Sequence, residues 1–215
     1  MAKNFINLFY PLHCLICGAC LDALNEFHLC GRCVASIQHN AMPPFELETP
    51  SVMAYSACLY EGAMKEIIHS FKYKGKLPLA KISAMLMIDY IRENPEIADV
   101  GVITAVPLHK TRIEEREFNQ SLLLAHRIAR AFNLPVKNIL EKKSRTKYQN
   151  ELSRGERLVN LKNAFKIRGR EDISGLDILL IDDVMTTGAT LNECARTILS
   201  GGARNVTCFT LARGI

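Results

Sequence analysis

The stretch D-I-L-L-I-D-D-V-M-T-T-G-A-T-L-N, residues 177–192, passes from an apolar run through an acidic pair and a small-residue turn into an amphipathic segment. Ile178, Leu179, Leu180 and Ile181 follow one another with no polar interruption, the pattern of a strand buried on both faces of a parallel sheet. Ligands of open parallel sheets gather outside the carboxyl ends of the strands, so the chemistry is expected just after Ile181.

Asp182 and Asp183 stand at that end, and because successive strand residues point to opposite sides, the two carboxylates can serve different partners. Met185, Thr186, Thr187, Gly188, Ala189 and Thr190 follow, mostly small or hydroxyl-bearing, with Gly188 free to take a positive φ. A turn of this kind, emptying into a helix whose amino end carries positive partial charge, favours a phosphate. Carboxylates repel phosphate but accept hydrogen bonds from sugar hydroxyls, so acid pair and turn together read as a sugar-phosphate site. A purely structural strand–turn–helix is the plainer alternative. No G-x-x-x-x-G-K-[ST] occurs in the chain, which removes the P-loop ATPase reading.

The segment I-D-D-V-M-T-T-G-A-T resembles the phosphoribosyl pyrophosphate (PRPP) motif of type I phosphoribosyltransferases. That resemblance implies that Asp182 and Asp183 hold the ribose hydroxyls and that Met185 to Thr190 form the 5′-phosphate loop. It also implies Mg²⁺ arriving with PRPP.

A chain of 215 residues, 48% of them apolar, is enough for one ordinary α/β domain with a small appendage. There is no run of 18 apolar residues, and the first residues lack the long apolar core of a secretory signal, so the expectation is a cytoplasmic protein without membrane insertion. The net charge of +5 is uneven: residues 137–170 hold 11 Lys or Arg against 3 Glu. That surplus suits either a solvated helix face or a surface for pyrophosphate or nucleic acid.

Five of the eight cysteines lie between Cys14 and Cys33, as C-L-I-C, twelve residues, then C-G-R-C. Paired C-x-x-C units in a reducing compartment point to metal, and four thiolates around Zn²⁺ leave no open position, so a structural zinc knuckle is expected from Cys14, Cys17, Cys30 and Cys33. Cys20 is left as a replacement ligand or a packed residue. Gly18 and Gly31, each directly after a cysteine, are expected to relieve the backbone around the thiolates. Cys58, Cys194 and Cys208 sit in apolar stretches and read as core. The Pro-rich stretch 41–50 reads as a linker, giving a knuckle and linker over 1–48 and the main domain over 49–215.

Along the rest of the chain, 51–60, 100–106 and 206–211 read as strands, and 63–71, 79–91 and 121–132 as helices by their apolar spacing. Several blocks are similar to the ComF family: Y-E-G-A-M-K-E-I-I-H-S-F-K-Y-K-G-K with Tyr60, Gly62, Lys72, Tyr73 and Gly75; T-A-V-P-L-H-K-T-R-I-E-E-R-E-F-N-Q; and K-K-S-R-T-K-Y-Q-N-E-L-S-R-G-E-R with Arg145, Thr146 and Gln149. The resemblance covers nearly the whole chain. It implies a type I phosphoribosyltransferase-like parallel sheet flanked by helices, with an amino-terminal four-cysteine zinc knuckle.

It further implies that 104–108 with Arg112 and Arg116 handle pyrophosphate, and that Arg145 and Lys147 lie in a mobile catalytic loop that closes over the leaving group. Ala105 and Glu117 depart from the family's proline and glycine. Two functions follow as expectations: a Mg²⁺-dependent phosphoribosyltransferase of unidentified acceptor, or a PRPP sensor or single-stranded-DNA-handling protein working with the competence machinery of DNA uptake. The same pocket serves either, since fold does not fix function.

Overall fold

An apolar strand with no wet face has to lie inside a sheet covered on both sides, and the computed structural model, which describes residues 11–108, 118–143, 163–169 and 171–214, places it there. In chain order the elements are α1 (Gly31–Ala35), β1 (Phe45–Glu46), β2 (Met53–Leu59), α2 (Gly62–Tyr73), α3 (Leu79–Glu93), a 3₁₀ turn (Pro95–Ala98), β3 (Val102–Ala105), α4 (Gln120–Phe132), β4 (Leu140–Lys142), β5 (Phe165–Ile167), β6 (Asp177–Met185), α5 (Ala189–Ser200) and β7 (Asn205–Arg213). The five-stranded sheet runs β1-β2-β7-β6-β3, and β4 and β5 form a separate pair. β2, β7, β6 and β3 are mutually parallel, while β1 is antiparallel to β2. The α/β class with a mostly parallel sheet, expected from the sequence, is the observed one.

β6 is hydrogen-bonded on both sides, with Ile178 opposite Val102 on one neighbour and opposite Val206 on the other. Its alternate side chains enter two cores. Leu179 and Ile181 pack with Ile103, Phe209 and Leu211 beneath the apolar faces of α2, α3 and α4. Ile178 and Leu180 pack with Val102, Val206 and Cys208 beneath Leu191, Cys194 and Ile198 of α5 and Phe165 of β5. Both layers follow from strand period two against helical period 3.6. Cys58, Cys194 and Cys208 are fully buried, as their apolar surroundings predicted.

The amino-terminal segment joins the first of these cores through Cys14, Leu29, Cys33 and Ile37. From there the chain runs along β2: the Asn40 N–H donates to the Ala57 carbonyl, His39 bridges Cys58, and β1 pairs with the start of β2. On the far side of the sheet, Val136 bridges Ile103 of β3 in parallel. The helices expected at 63–71, 79–91 and 121–132 extend by one to three residues, and α3 ends at Glu93 with Asn94 as its cap, directly before Pro95, whose ring cannot continue a helix. The β4–β5 pair was not foreseen, because three-residue strands carry too little alternation to be read.

Leu180 is completely buried between β3, β7 and α5. Leu180→Ala is expected to lower the free energy of unfolding by about 2–5 kcal/mol through lost transfer energy and the cavity left behind. Urea titration checks this, with the midpoint falling at unchanged slope; a loss below about 0.5 kcal/mol, the range of surface substitutions, contradicts the double burial of β6.

Candidate functional site

Two chain reversals define the crevice. After β6 the chain passes through α5 to β7, on one side; after β3 it passes through α4 to the Pro135–Lys137 segment, on the other. The gap between the carboxyl ends of β3 and β6 is therefore the switch point at which open α/β sheets bind ligands.

β6 continues through both aspartates to Met185, so the turn itself is only Thr186, Thr187 and Gly188, and α5 begins at Ala189. Gly188 caps the helix with φ of 75°, a backbone that favours glycine, and a Cβ there would come within 3.0 Å of Leu47 Cδ2, a tight contact that the leucine would have to yield to. Thr186 and Thr187 are exposed, and the Thr187 hydroxyl accepts from the Ala189 N–H at 3.4 Å. Asn192, one turn into α5, accepts from the Thr49 N–H at 2.7 Å and so pins the chain before β2 against the loop. Of the six loop residues singled out from sequence, Met185 belongs to β6 and Ala189 and Thr190 to α5; all six are contiguous at the helix start.

The two carboxylates have different partners. Asp183 is buried and paired with Lys72 of α2, Nζ to Oδ1 at 2.6 Å. Asp182 is half-buried, and its Oδ1 accepts from the Ser121 hydroxyl at 2.7 Å and from the Asp183 N–H at 2.9 Å. Loss of water around the Asp182 carboxyl pushes it up to about 7, and the Asp183 charge beside it adds to the rise; Lys72 and Ser121 pull the other way. One acid is thus neutralised by an ammonium, and the other is protonated in part near neutral pH.

Asn119 fastens the remaining wall. Its side-chain amide donates to the Val106 carbonyl at 3.1 Å, and its oxygen accepts from the Leu122 N–H at 3.2 Å, capping α4 and tying it to the end of β3. Thr104 is buried, and its hydroxyl accepts from the Ile139 N–H at 3.4 Å, so within 104–108 only Pro107 and Leu108 retain surface. Arg112, Arg116 and Glu117 and the catalytic candidates Arg145 and Lys147 lie outside the described residues. Lys72 and Ser121 were not assigned roles from sequence. Lys72 sits at the flank of the α2 apolar stripe and Ser121 in the first turn of α4, where no spacing rule marks a partner of an acid. His126 is exposed on α4.

The cysteines form a second centre. The sulfurs of Cys14, Cys17, Cys30 and Cys33 lie within 4.8 Å of one another, and Cys17 and Cys30 are 3.6 Å apart. Bonds of about 2.3 Å in a tetrahedral thiolate site put sulfurs roughly 3.8 Å apart, so the quartet fits a four-coordinate metal ion. Cys20 is not in the quartet; it faces His13 Nε2 at 3.8 Å. Gly18 takes φ of 74° as expected, with its N–H donating to the Cys14 carbonyl, whereas Gly31 opens α1 and has no left-handed backbone, because a helix start supplies the second curl. The Ala19 backbone N–H, then the neighbouring sulfurs, hold Cys17 down to about 6, and burial with the same neighbours pushes Cys33 up to about 12.

The Phosphoribosyl transferase domain family matches residues 119–215. The chain is 27% identical to Competence protein F of Haemophilus influenzae over 98% of its own length and 99% of that protein's. It is 29% identical to DNA utilization protein YhgH of Salmonella typhimurium, covering 94% of this chain and 91% of the relative. With Competence protein ComFC of Bacillus subtilis it shares 34% identity over 74% of this chain and 63% of the relative. Among the described residues no helix is long and apolar enough to cross a membrane.

The raised Asp182 carboxyl has a consequence for stability. An acid that titrates near 7 when folded and near 3.8 when unfolded favours the native state while it is protonated, and that contribution is lost as pH rises from about 4 through about 7. Thermal melts across that range are expected to show the wild type losing stability relative to Asp182→Asn, with a constant difference above pH 8. Parallel curves for the two proteins would mean that Asp182 is ionised throughout.

Proposed function

We propose that this chain, a relative of competence and DNA-utilization proteins over most of its length and the bearer of a phosphoribosyl transferase domain, binds PRPP in the crevice between β3 and β6. The observation that carries the reading is the acidic pair at the switch point, followed at once by a three-residue turn into the amino end of α5. Asp182 and Asp183 accept the ribose hydroxyls, and the loop from Met185 to Thr190 holds the 5′-phosphate with backbone N–H groups and the helix dipole. In transfer, the bond from the anomeric carbon to the pyrophosphate oxygen breaks and an acceptor atom takes its place. Arg112, Arg145 and Lys147 would grip the departing pyrophosphate, and Mg²⁺ supplies further charge neutralisation when bound to its oxygens. The turnover needs no side-chain nucleophile, only orientation and charge stabilisation.

The cysteine quartet holds zinc in this reading, in a structural role, because its four thiolates complete the coordination shell. A second reading, a PRPP-responsive handler of single-stranded DNA, is favoured by the names of the relatives and by the charge of residues 137–170. Part of that charge is already engaged: Lys166 pairs with Glu141 at 2.6 Å, Lys137 with Glu171 at 3.7 Å, and Lys142 lies over the Phe165 ring.

PRPP is expected to raise the melting temperature by mass action, about 2.7 kcal/mol of stabilisation at a hundredfold excess over Kd. Asp182→Asn combined with Asp183→Asn should remove the shift, and an undiminished shift would place the ligand elsewhere. Pyrophosphate release that appears only with an added nucleobase selects the transferase, whereas DNA binding modulated by PRPP without release selects the handler.

Protein purified without chelator is expected to carry one zinc per chain. Replacing Cys30 and Cys33 by serine should abolish it and lower the melting temperature, because binding energy of a structural metal is folding energy. Elemental analysis that finds no stoichiometric metal overturns the assignment.

A further inference from the structure

Lys72 is the feature of the crevice that the proposed function leaves without a role. It projects from the last turn of α2, an element outside the strand–turn–helix unit, and its ammonium lies 2.6 Å from Asp183 Oδ1. The Lys72 side chain is 20% exposed and that of Asp183 9%, so this is a largely desolvated pair with more weight than a surface salt bridge. On the other acid, Ser121 and the Asp183 N–H occupy one oxygen of Asp182. Among the described residues no third His, Cys, Asp or Glu joins the acidic pair in a cluster able to hold a metal ion.

A ligand with a phosphate and a pyrophosphate brings several negative charges to a place that already has two carboxylates. The phosphate loop and the basic side chains offset part of that charge, and a cation beside the carboxylates offsets more. A divalent ion is one remedy, and Mg²⁺ draws most of its ligands from phosphate oxygens and water. An ammonium fixed by the fold on one of the two acids is another, and it is already in place before the ligand arrives.

We infer that Lys72 is a positioning residue of the PRPP site, acting through Asp183 as a resident cation that lets the sugar-phosphate bind without a divalent metal. The inference rests on the reading of the crevice as a PRPP site and adds to it a charge-balancing residue from α2. It leaves the transfer step free to use Mg²⁺ on the pyrophosphate.

The test is calorimetric titration of the full-length zinc-loaded protein with PRPP, once in excess Mg²⁺ and once after Mg²⁺ is omitted and the buffer is stripped of divalent ions on a resin that leaves the thiolate-bound zinc in place. Wild type is expected to bind in both, with affinities within about fivefold. Lys72→Met should lose about tenfold or more without Mg²⁺ and recover most of that loss when Mg²⁺ is added, while Lys72→Arg, which keeps the charge, should bind in both. A prop that merely shapes the site would lower both affinities alike, and that result overturns the inference. So does wild-type binding that appears only with Mg²⁺, a measurement that needs no variant to fold. Absence of PRPP binding to wild type under either condition removes the proposed function, and the role of Lys72 falls with it.

Discussion

Everything in the site depends on the burial of β6 from both faces. A strand enclosed by β3 and β7 at its edges and by helices above and below has no room for a charge along its apolar stretch, where ladder hydrogen bonds already satisfy the backbone. The first positions at which a carboxylate is tolerated are those at the carboxyl end, and even there the cost is visible. Asp182 is driven toward its neutral form, and Asp183 has an ammonium beside it. Groups kept in such a state respond strongly to whatever hydroxyl or cation arrives next, which is why perturbed acids in clefts coincide with function so often.

The main scaffold was legible in the sequence because its signals are local and redundant. Four consecutive branched apolar residues specify a doubly buried strand, and Met64, Ile67, Ile68 and Phe71 specify a helix face, whatever lies elsewhere in the chain. The acidic pair and the glycine at the turn were equally plain, and the contact of Gly188 with Leu47 adds a steric reason that no local pattern could hold. The cysteine quartet was readable from spacing alone, because two C-x-x-C units have few other uses.

What stayed illegible depends on distance along the chain. Lys72 and Asp183 are 111 positions apart, and their meeting is decided by the way α2 packs over β6, not by any property of either residue. The same holds for Ser121 with Asp182 and for Asn192 with Thr49. Gly31 illustrates the opposite error, in which a residue type was given a conformational duty that the start of α1 performs without it. Composition says which groups are available; only the packing says which of them face each other.

The path of the amino-terminal chain beside β2 has a consequence for solution behaviour. A parallel sheet ends in strands whose outer backbone groups can recruit another chain, and natural proteins blunt such edges by covering them. Here the rim beyond β2 is occupied by β1 and by the bridge from His39 to Cys58, and the opposite rim beyond β3 is met by Val136. The segment carrying the cysteines therefore has a structural role of its own: the chain that leaves it seals one side of the sheet. Unfastening that segment would expose a row of β2 donors and acceptors, and the first sign of its failure would be self-association through strand addition, ahead of any loss of the central sheet.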